Sequence, residues 1–316
     1  MAGIRGGCTM YVGRVGELWR HPVKSMRGDR LATADVTEEW GVPGDRGWAV
    51  RDEKASEIRG AKQLTSLLQF HARYLDEPRD DSTPTVEITF PDGSVMRSDD
   101  DAINAALSAA VGREVTLWPR RPRDDHEHYR RGRVNEADIR AQLDLGPDEP
   151  LPDFSALPEE LMTELVRYAT PRGTYFDSLP LSLLTTAAMR TVREHAPESA
   201  VEPRRFRKNI ILETEPGVDG CPEFDWVGSR LHIGTAVFEV VMPISRCVMV
   251  GLPQADLPHD RAILRSVARN TGMNLGVYLR ALSPATIHEG DRVYVSEAAP
   301  TATPAGANSR AVVDGR

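Results

Sequence analysis

Residues 120–140 are dense in charge and almost free of apolar side chains, and residues 146–158 are acidic and rich in proline. Such a stretch has little to bury, so it constrains the chain more than any other feature: the hydrophobic segments on either side are expected to build separate bodies. A chain of 316 residues is long enough for two modest domains. The expected organisation is an N-terminal domain over residues 11–120, a charged and proline-rich linker region over 121–158, and a second domain over 159–296. A disordered tail over 297–316, rich in Ala, Pro, Gly and Ser, completes it.

Within the first part, short runs rich in β-branched and aromatic residues recur between turn residues, at 11–19, 31–36, 48–51 and 86–90. Val86, Ile88 and Phe90 alternate on one face, Pro91-Asp92-Gly93 supplies a turn, and Val95 begins the return. This reads as an antiparallel barrel or sandwich. A helix follows, with Ser98 and Asp101 as a capping-box-like start that lacks its usual Glu. Ile103, Ala106, Leu107 and Ala110 form one apolar stripe, and Gly112 is its stop. The second part is expected to carry helices at 161–169, 185–195 and 261–269, and strands at 209–213, 231–233, 237–242, 277–279 and 292–295. The fold class is therefore mainly β, of the α+β kind, with an N-terminal β-barrel domain and a second β domain that has a few helices.

The balance of 39 basic and 47 acidic residues, 39 − 47 = −8, does not support a nucleic-acid partner. No apolar run is long enough to span a bilayer. The first nine residues have no apolar stretch of the secretory kind, which points to a cytoplasmic setting and leaves Met10 as an alternative start. Cys8, Cys221 and Cys247 are odd in number and widely spaced, with no Cys-x-x-Cys pair for zinc or an iron–sulfur cluster.

Four segments carry chemistry. In Val241-Met242-Pro243-Ile244-Ser245-Arg246-Cys247 a thiol follows a strand and sits beside a guanidinium that favours the thiolate, the form that ligates metals. A buried structural cysteine is the competing reading, and the local sequence leaves both open. In Phe206-Arg207-Lys208-Asn209-Ile210, strand alternation would place Arg207 and Asn209 on one face, where they could read a phosphate and the polar edge of a heterocycle. A solvated basic strand is the alternative. His21-Pro22-Val23-Lys24-Ser25, with Gly44-Asp45-Arg46-Gly47-Trp48, brings a Lys, a Ser and an Arg into the N-terminal domain. In 177–186, Thr185 and Thr186 stand at a helix start, which suits an anion, although for this segment in isolation ordinary capping is the stronger reading.

Together these motifs resemble the MOSC family, named for the C-terminal domain of molybdenum cofactor sulfurases, in the subgroup with an N-terminal β-barrel. That subgroup includes the mitochondrial amidoxime-reducing component and bacterial reductases of N-hydroxylated compounds. The resemblance spans roughly residues 11–296, and its most diagnostic pieces are His21 to Ser25 and Ser245-Arg246-Cys247. It implies that Cys247 is the protein ligand to molybdenum and the centre of catalysis. It further implies that Lys24, Ser25, Arg46, Arg207, Asn209, Ser245 and Arg246 hold a molybdenum cofactor, Mo-molybdopterin, with Thr185 and Thr186 matching more loosely. Asp256 and Tyr278 are weaker candidates near the substrate.

The implied activity is reduction of a small N-hydroxylated substrate, N–OH to N–H plus water, by a monomer drawing electrons from a ferredoxin- or flavodoxin-type protein. The arginine-rich stretch 120–133 is a candidate docking surface for that donor. Two departures stand out. Ile244 replaces a second cysteine that some relatives carry, and the C-terminus lacks the cysteines of a fused ferredoxin-type domain. A non-catalytic carrier of the cofactor, or of a Cys247 persulfide, is the rival from another class.

Overall fold

The structure, a computed structural model, describes residues 9–79, 81–132, 135–146, 148, 149, 151 and 159–297. Cys8 and the expected tail beyond Glu297 lie outside the described residues. The principal sheet closes on itself. Its order is Ile210–Glu213, Leu181–Thr185, Asn274–Ala281, Ala236–Ser245, Arg230–Ile233, Arg292–Ser296 and Thr9–Arg20, and Thr9–Arg20 pairs back onto Ile210–Glu213. Closure into this seven-stranded barrel leaves no unpaired edge within the ring.

Thr9–Arg20 has to serve two neighbours, and it does so through bulges: its register shifts between Tyr11 and Gly13 against Arg292–Ser296, and between Val15 and Glu17 against Ile210–Glu213. Gly13 takes φ 138°, and a Cβ there would collide with the Glu213 carbonyl oxygen, so glycine is the residue that fits. A strand from the first twenty residues therefore completes a barrel whose other six strands come from residues 181–296.

Period-two alternation sorts the barrel side chains. Leu181, Leu183, Ile210 and Leu212 point into the inner core with Val15, Leu18, Phe238, Val277 and Leu279. Leu184 and Ile211 point outward, where helices Thr186–His195 and Arg261–Thr271 cover them with Ala188, Val192, Ile263 and Val267. Because both faces are covered, these strands read as continuous apolar runs. Each fully buried Leu or Ile contributes about 1.5–3 kcal/mol relative to exposure.

The N-terminal part builds two three-stranded antiparallel sheets, Glu57–Arg59/Trp48–Asp52/Val115–Pro119 and His71–Tyr74/Val86–Thr89/Val95–Arg97. They enclose a second core of Val50, Phe70, Val86, Ile88 and Leu107. The expected Val86 hairpin is present, and helix Ile103–Val111 ends at Gly112 in the left-handed conformation. Its start differs from expectation. The N-cap is Ala102 with no side-chain cap, because the Ser98 hydroxyl instead accepts the backbone N–H of Val86. Within 121–158, helix Glu136–Leu143 carries a full capping box between Asn135 and Asp138, and Tyr129 and Leu143 are buried. Among the described residues no helix is long and apolar enough to cross a membrane.

A buried carboxyl packs against the barrel from the one-turn helix Pro222–Phe224. Glu223 is fully buried and accepts a 2.6 Å hydrogen bond from the Thr185 hydroxyl, and burial raises its carboxyl to about 7. A carboxyl raised on folding adds stability that is complete below the usual carboxylate range and is lost as pH rises through about 7. Glu223→Gln should flatten this dependence. In urea unfolding, the wild-type chain should lose about 2 kcal/mol or more relative to the variant between pH 5 and pH 8. Parallel pH profiles for the two proteins would show that Glu223 is ionised throughout.

Candidate functional site

A cavity of about 960 Å³ opens at one end of the barrel, where Ala236–Ser245 ends and Ile210–Glu213 and Asn274–Ala281 begin. Its floor gathers segments distant in sequence: Arg46, then 177–182, then 205–209, then 242–247, with Asn274 and Tyr278. Helices Glu136–Leu143 and Glu159–Arg167 supply its outer wall.

The floor is cationic. Arg207 follows the short helix Pro203–Phe206 and takes φ 54°, so the chain turns left-handed before the strand starts at Ile210. Its Nη1 donates to the Met26 carbonyl at 2.6 Å, while its buried Nη2 has no partner among the described residues. Arg246 donates from Nη2 to the Phe206 carbonyl at 3.0 Å, and its buried Nε likewise has none. Arg46, at φ 51°, pairs with Asp45 and donates from Nη2 to the Arg207 carbonyl at 3.3 Å. Lys208 is buried with its Nζ 5.8 Å from the centre of the Tyr278 ring.

Burial acts on all of these; at Arg46 the Asp45 and Asp177 carboxylates outweigh it and raise the guanidinium, while Arg207 and Lys208 also feel their cationic neighbours. Burial and the Arg46 charge lower Arg207 to about 9. Burial, then Arg246 and Arg46, push the Lys208 ammonium well below the usual lysine range. Tyr278, which lines the cavity, is raised to about 12 by burial and the Asp177 charge, so its hydroxyl stays protonated at neutral pH. Among the cavity-lining residues the one carboxylate is Asp177, bound to Lys24 Nζ at 2.5 Å. Burial alone would raise its carboxyl, but Lys24 and Arg46 outweigh that and hold it far below the usual range.

Of the residues singled out from sequence, Arg46, Arg207, Asn209, Ser245, Arg246 and Cys247 meet at this cavity. Cys247 is half-buried and caps the one-turn helix Val248–Gly251, and the Ser245 hydroxyl donates to Asn274 Oδ1 at 3.0 Å. Asn209 is committed to the protein itself: its Oδ1 accepts from the Ser182 N–H and hydroxyl, and its Nδ2 donates to Asp45 at 2.9 Å. Lys24 and Ser25 lie behind the floor, Lys24 on Asp177 and the Tyr175 carbonyl, Ser25 accepting the Ala61 N–H. Thr185 and Thr186 are not brought to the cavity. Thr185 closes a fully buried strand and caps helix Thr186–His195, and Thr186 bonds Thr214. Asp256 pairs with Arg204 at the surface, away from the cavity.

Lys208, Lys62 and Asp177 are cavity residues that sequence reasoning passed over. Strand alternation set Lys208 opposite Arg207, but the strand begins only at Ile210, so alternation does not govern residues 207–209. A run of three polar residues flanked by Phe206 and Ile210 in an otherwise buried segment was the available signal.

Family models described as MOSC N-terminal beta barrel domain and MOSC domain match residues 12–119 and 171–294. The chain belongs to the MOSC family. MOSC domains are associated with proteins that bind molybdenum cofactor. No curated protein sequence matches the chain. Among solved structures, the YuaD protein from Bacillus subtilis is 11% identical over 93% of this chain and 100% of that one, with a TM-score of 0.43. YiiM from Geobacillus stearothermophilus is 21% identical over 37% of this chain and 54% of that one, with a TM-score of 0.28.

The crowded charges of this MOSC cavity carry a cost in stability that an anion would offset. Lys208→Met should therefore raise the melting temperature of the ligand-free protein and reduce the further rise produced by added inorganic phosphate. A lower melting temperature with the phosphate effect intact would place Lys208 in a purely structural role.

Proposed function

We propose that this MOSC protein binds a molybdenum cofactor in the cationic cavity, with the Cys247 thiolate as the single protein ligand to the metal, and reduces N-hydroxylated compounds. The observation that carries the reading is that, of the four buried guanidinium nitrogens without partners among the described residues, two, Arg207 Nη2 and Arg246 Nε, belong to residues lining the cavity that Cys247 also lines. A buried donor left unpaired costs about 1–3 kcal/mol, more when charged, so two of them together mark a place for an anion. A cavity of about 960 Å³ also suits a ligand of pterin size.

When bound, the cofactor supplies a two-electron redox centre that accepts oxygen from the substrate. The protein's own groups have separate tasks. Arg207 and Arg246 donate to the cofactor's phosphate, and Arg46, fixed by Asp45, orients Arg207 through its carbonyl. Cys247 suits a metal that arrives with its other ligands on an organic group, since among the described residues no three His, Cys, Asp or Glu side chains converge. Reduction of N–OH to N–H plus water takes up two electrons and two protons. Tyr278 and Lys208, which line the cavity, are the titratable groups that would supply these protons to the departing hydroxyl.

Electrons are to come from a ferredoxin- or flavodoxin-type donor. The arginine-rich stretch offers fewer free charges to such a partner than its sequence suggests. Arg120 stacks over Trp40 and Arg121 pairs with Asp125, while Arg133 lies outside the described residues. A persulfide carrier would need the Cys247 thiol but would leave the two guanidinium donors without a purpose, which favours the cofactor reading.

Protein from cells that make molybdenum cofactor should carry about one molybdenum per chain, reduce benzamidoxime with reduced viologen, and be inert with NADPH alone. Cys247→Ala should lose turnover while its circular dichroism stays native. Full turnover in that variant would overturn the ligand assignment, and persulfide sulfur without metal in the wild-type chain would favour the carrier.

A further inference from the structure

The mouth of the cavity differs in character from its floor. Helix Glu159–Arg167 buries none of its side chains, yet Met162, Leu165 and Val166, spaced at i, i+3 and i+4 on one face, line the cavity. Val166, at 69%, is the most exposed large apolar side chain among the described residues. Leu143, from helix Glu136–Leu143, extends the apolar lining.

Four cations share this entrance: Lys62, Arg130, Arg131 and Arg167. Lys62 hydrogen-bonds only the neutral Gln142 amide, at 3.3 Å, and Arg131 Nη1 donates to the Leu165 carbonyl at 2.7 Å. Arg130 faces Glu127 at 3.7 Å with both side chains largely exposed, a pairing of little worth. Arg167 has no carboxylate partner among the described residues. The cavity's one carboxylate, Asp177, is already bound to Lys24 on the floor. Glu57 acts on Arg131 and Asp177 on Lys62, so a cofactor phosphate seated against Arg207 and Arg246 would leave the charges of Arg130 and Arg167 the least compensated at the entrance.

We infer that the entrance is a substrate subsite for an amphipathic anion, whose apolar body lies along Met162, Leu165 and Val166 and whose acidic group pairs with Arg130 and Arg167. The inference rests on the cavity being the reductase site and deepens it by naming the substrate class: N-hydroxylated compounds with an apolar body and a carboxylate or similar acid. The apolar helix face supplies affinity independent of the head group, and the arginines supply discrimination by charge. A cationic analogue meets four like charges at the same place and is rejected.

The test is equilibrium binding to the molybdenum-loaded protein, by titration calorimetry, of three probes with one apolar body and different heads: 4-phenylbutyrate, 4-phenylbutanol and 4-phenylbutylamine. The carboxylate should bind at least about tenfold more tightly than the alcohol, and the amine least. In Arg130→Ser/Arg167→Ser, which leaves Lys62 and Arg131 in place, the carboxylate's advantage over the alcohol should shrink at least about fivefold. Val166→Asn, a change at an exposed position that leaves the cores untouched, should weaken carboxylate and alcohol alike by about fivefold. A carboxylate preference undiminished in the double variant would place the acid elsewhere and overturn the inference, as would an amine that binds the wild-type protein as well as the acid. The inference also fails if the double variant binds all three probes normally but slows turnover driven by a ferredoxin, which would assign these arginines to partner docking. Because binding is what is read, absence of reductase turnover leaves this test standing. Turnover without head-group preference would sink the subsite and spare the reductase reading.

Discussion

The Asp45 carboxylate is the buried anion on which the cationic floor is built. It accepts the His21 backbone N–H at 2.7 Å and the Asn209 amide at 2.9 Å, and it pairs with Arg46. Burial alone would raise its carboxyl, yet the Arg46 charge and these hydrogen bonds hold it far below the usual range. By the same contacts it ties the turn at residues 44–47 to His21 and to Asn209, just ahead of the barrel strand Ile210–Glu213. His21, buried beside it and lowered to about 3 by burial and by Arg207, stays neutral and adds no further positive charge. Without Asp45 the floor would hold Arg46, Arg207 and Arg246 with only Asp177 to balance them, a buried excess that proteins tolerate poorly.

Backbone strain marks the same place. Three of the seven non-glycine residues with positive φ among the described residues, Ser25, Arg46 and Arg207, at 68°, 51° and 54°, lie at or just behind the floor. Such conformations persist when surrounding contacts over-determine them. Here the Met26 carbonyl accepts from Arg207 Nη1, the His21 carbonyl accepts the Arg46 N–H, and the Ser25 hydroxyl accepts the Ala61 N–H. Strain, unpaired guanidinium donors and a depressed Lys208 ammonium coincide at one cavity, the pattern of a site whose stability is given up for binding.

Alternation and turn chemistry made most strands and helices legible in the sequence, because the Val86 hairpin, the 186–195 helix and the barrel runs each obey one period. Barrel closure was not legible: Leu18 pairs with Ile210, and a pairing over that separation leaves no local trace. Helix Glu136–Leu143 escaped because its exposed face is charged and its buried contribution is essentially Leu143. At the site, motif resemblance brought Arg46, Arg207, Arg246 and Cys247 forward. It could not tell which polar atoms the protein itself consumes, so Asn209 looked like a reader of ligand edges although Ser182 and Asp45 occupy it. Thr185 looked like an anion site because a hydroxyl at a helix start is the same signal whether it meets a ligand or, as here, Glu223.

X-ray absorption at the molybdenum edge tests the central claim most directly, because it counts the sulfur atoms around the metal and is indifferent to substrate or electron donor. Protein loaded in cells should show the two pterin sulfurs plus one more from Cys247, and Cys247→Ser should lose that one alone. The same sulfur count in both proteins, or molybdenum absent from the wild-type chain under conditions that load other molybdenum proteins, would contradict the account.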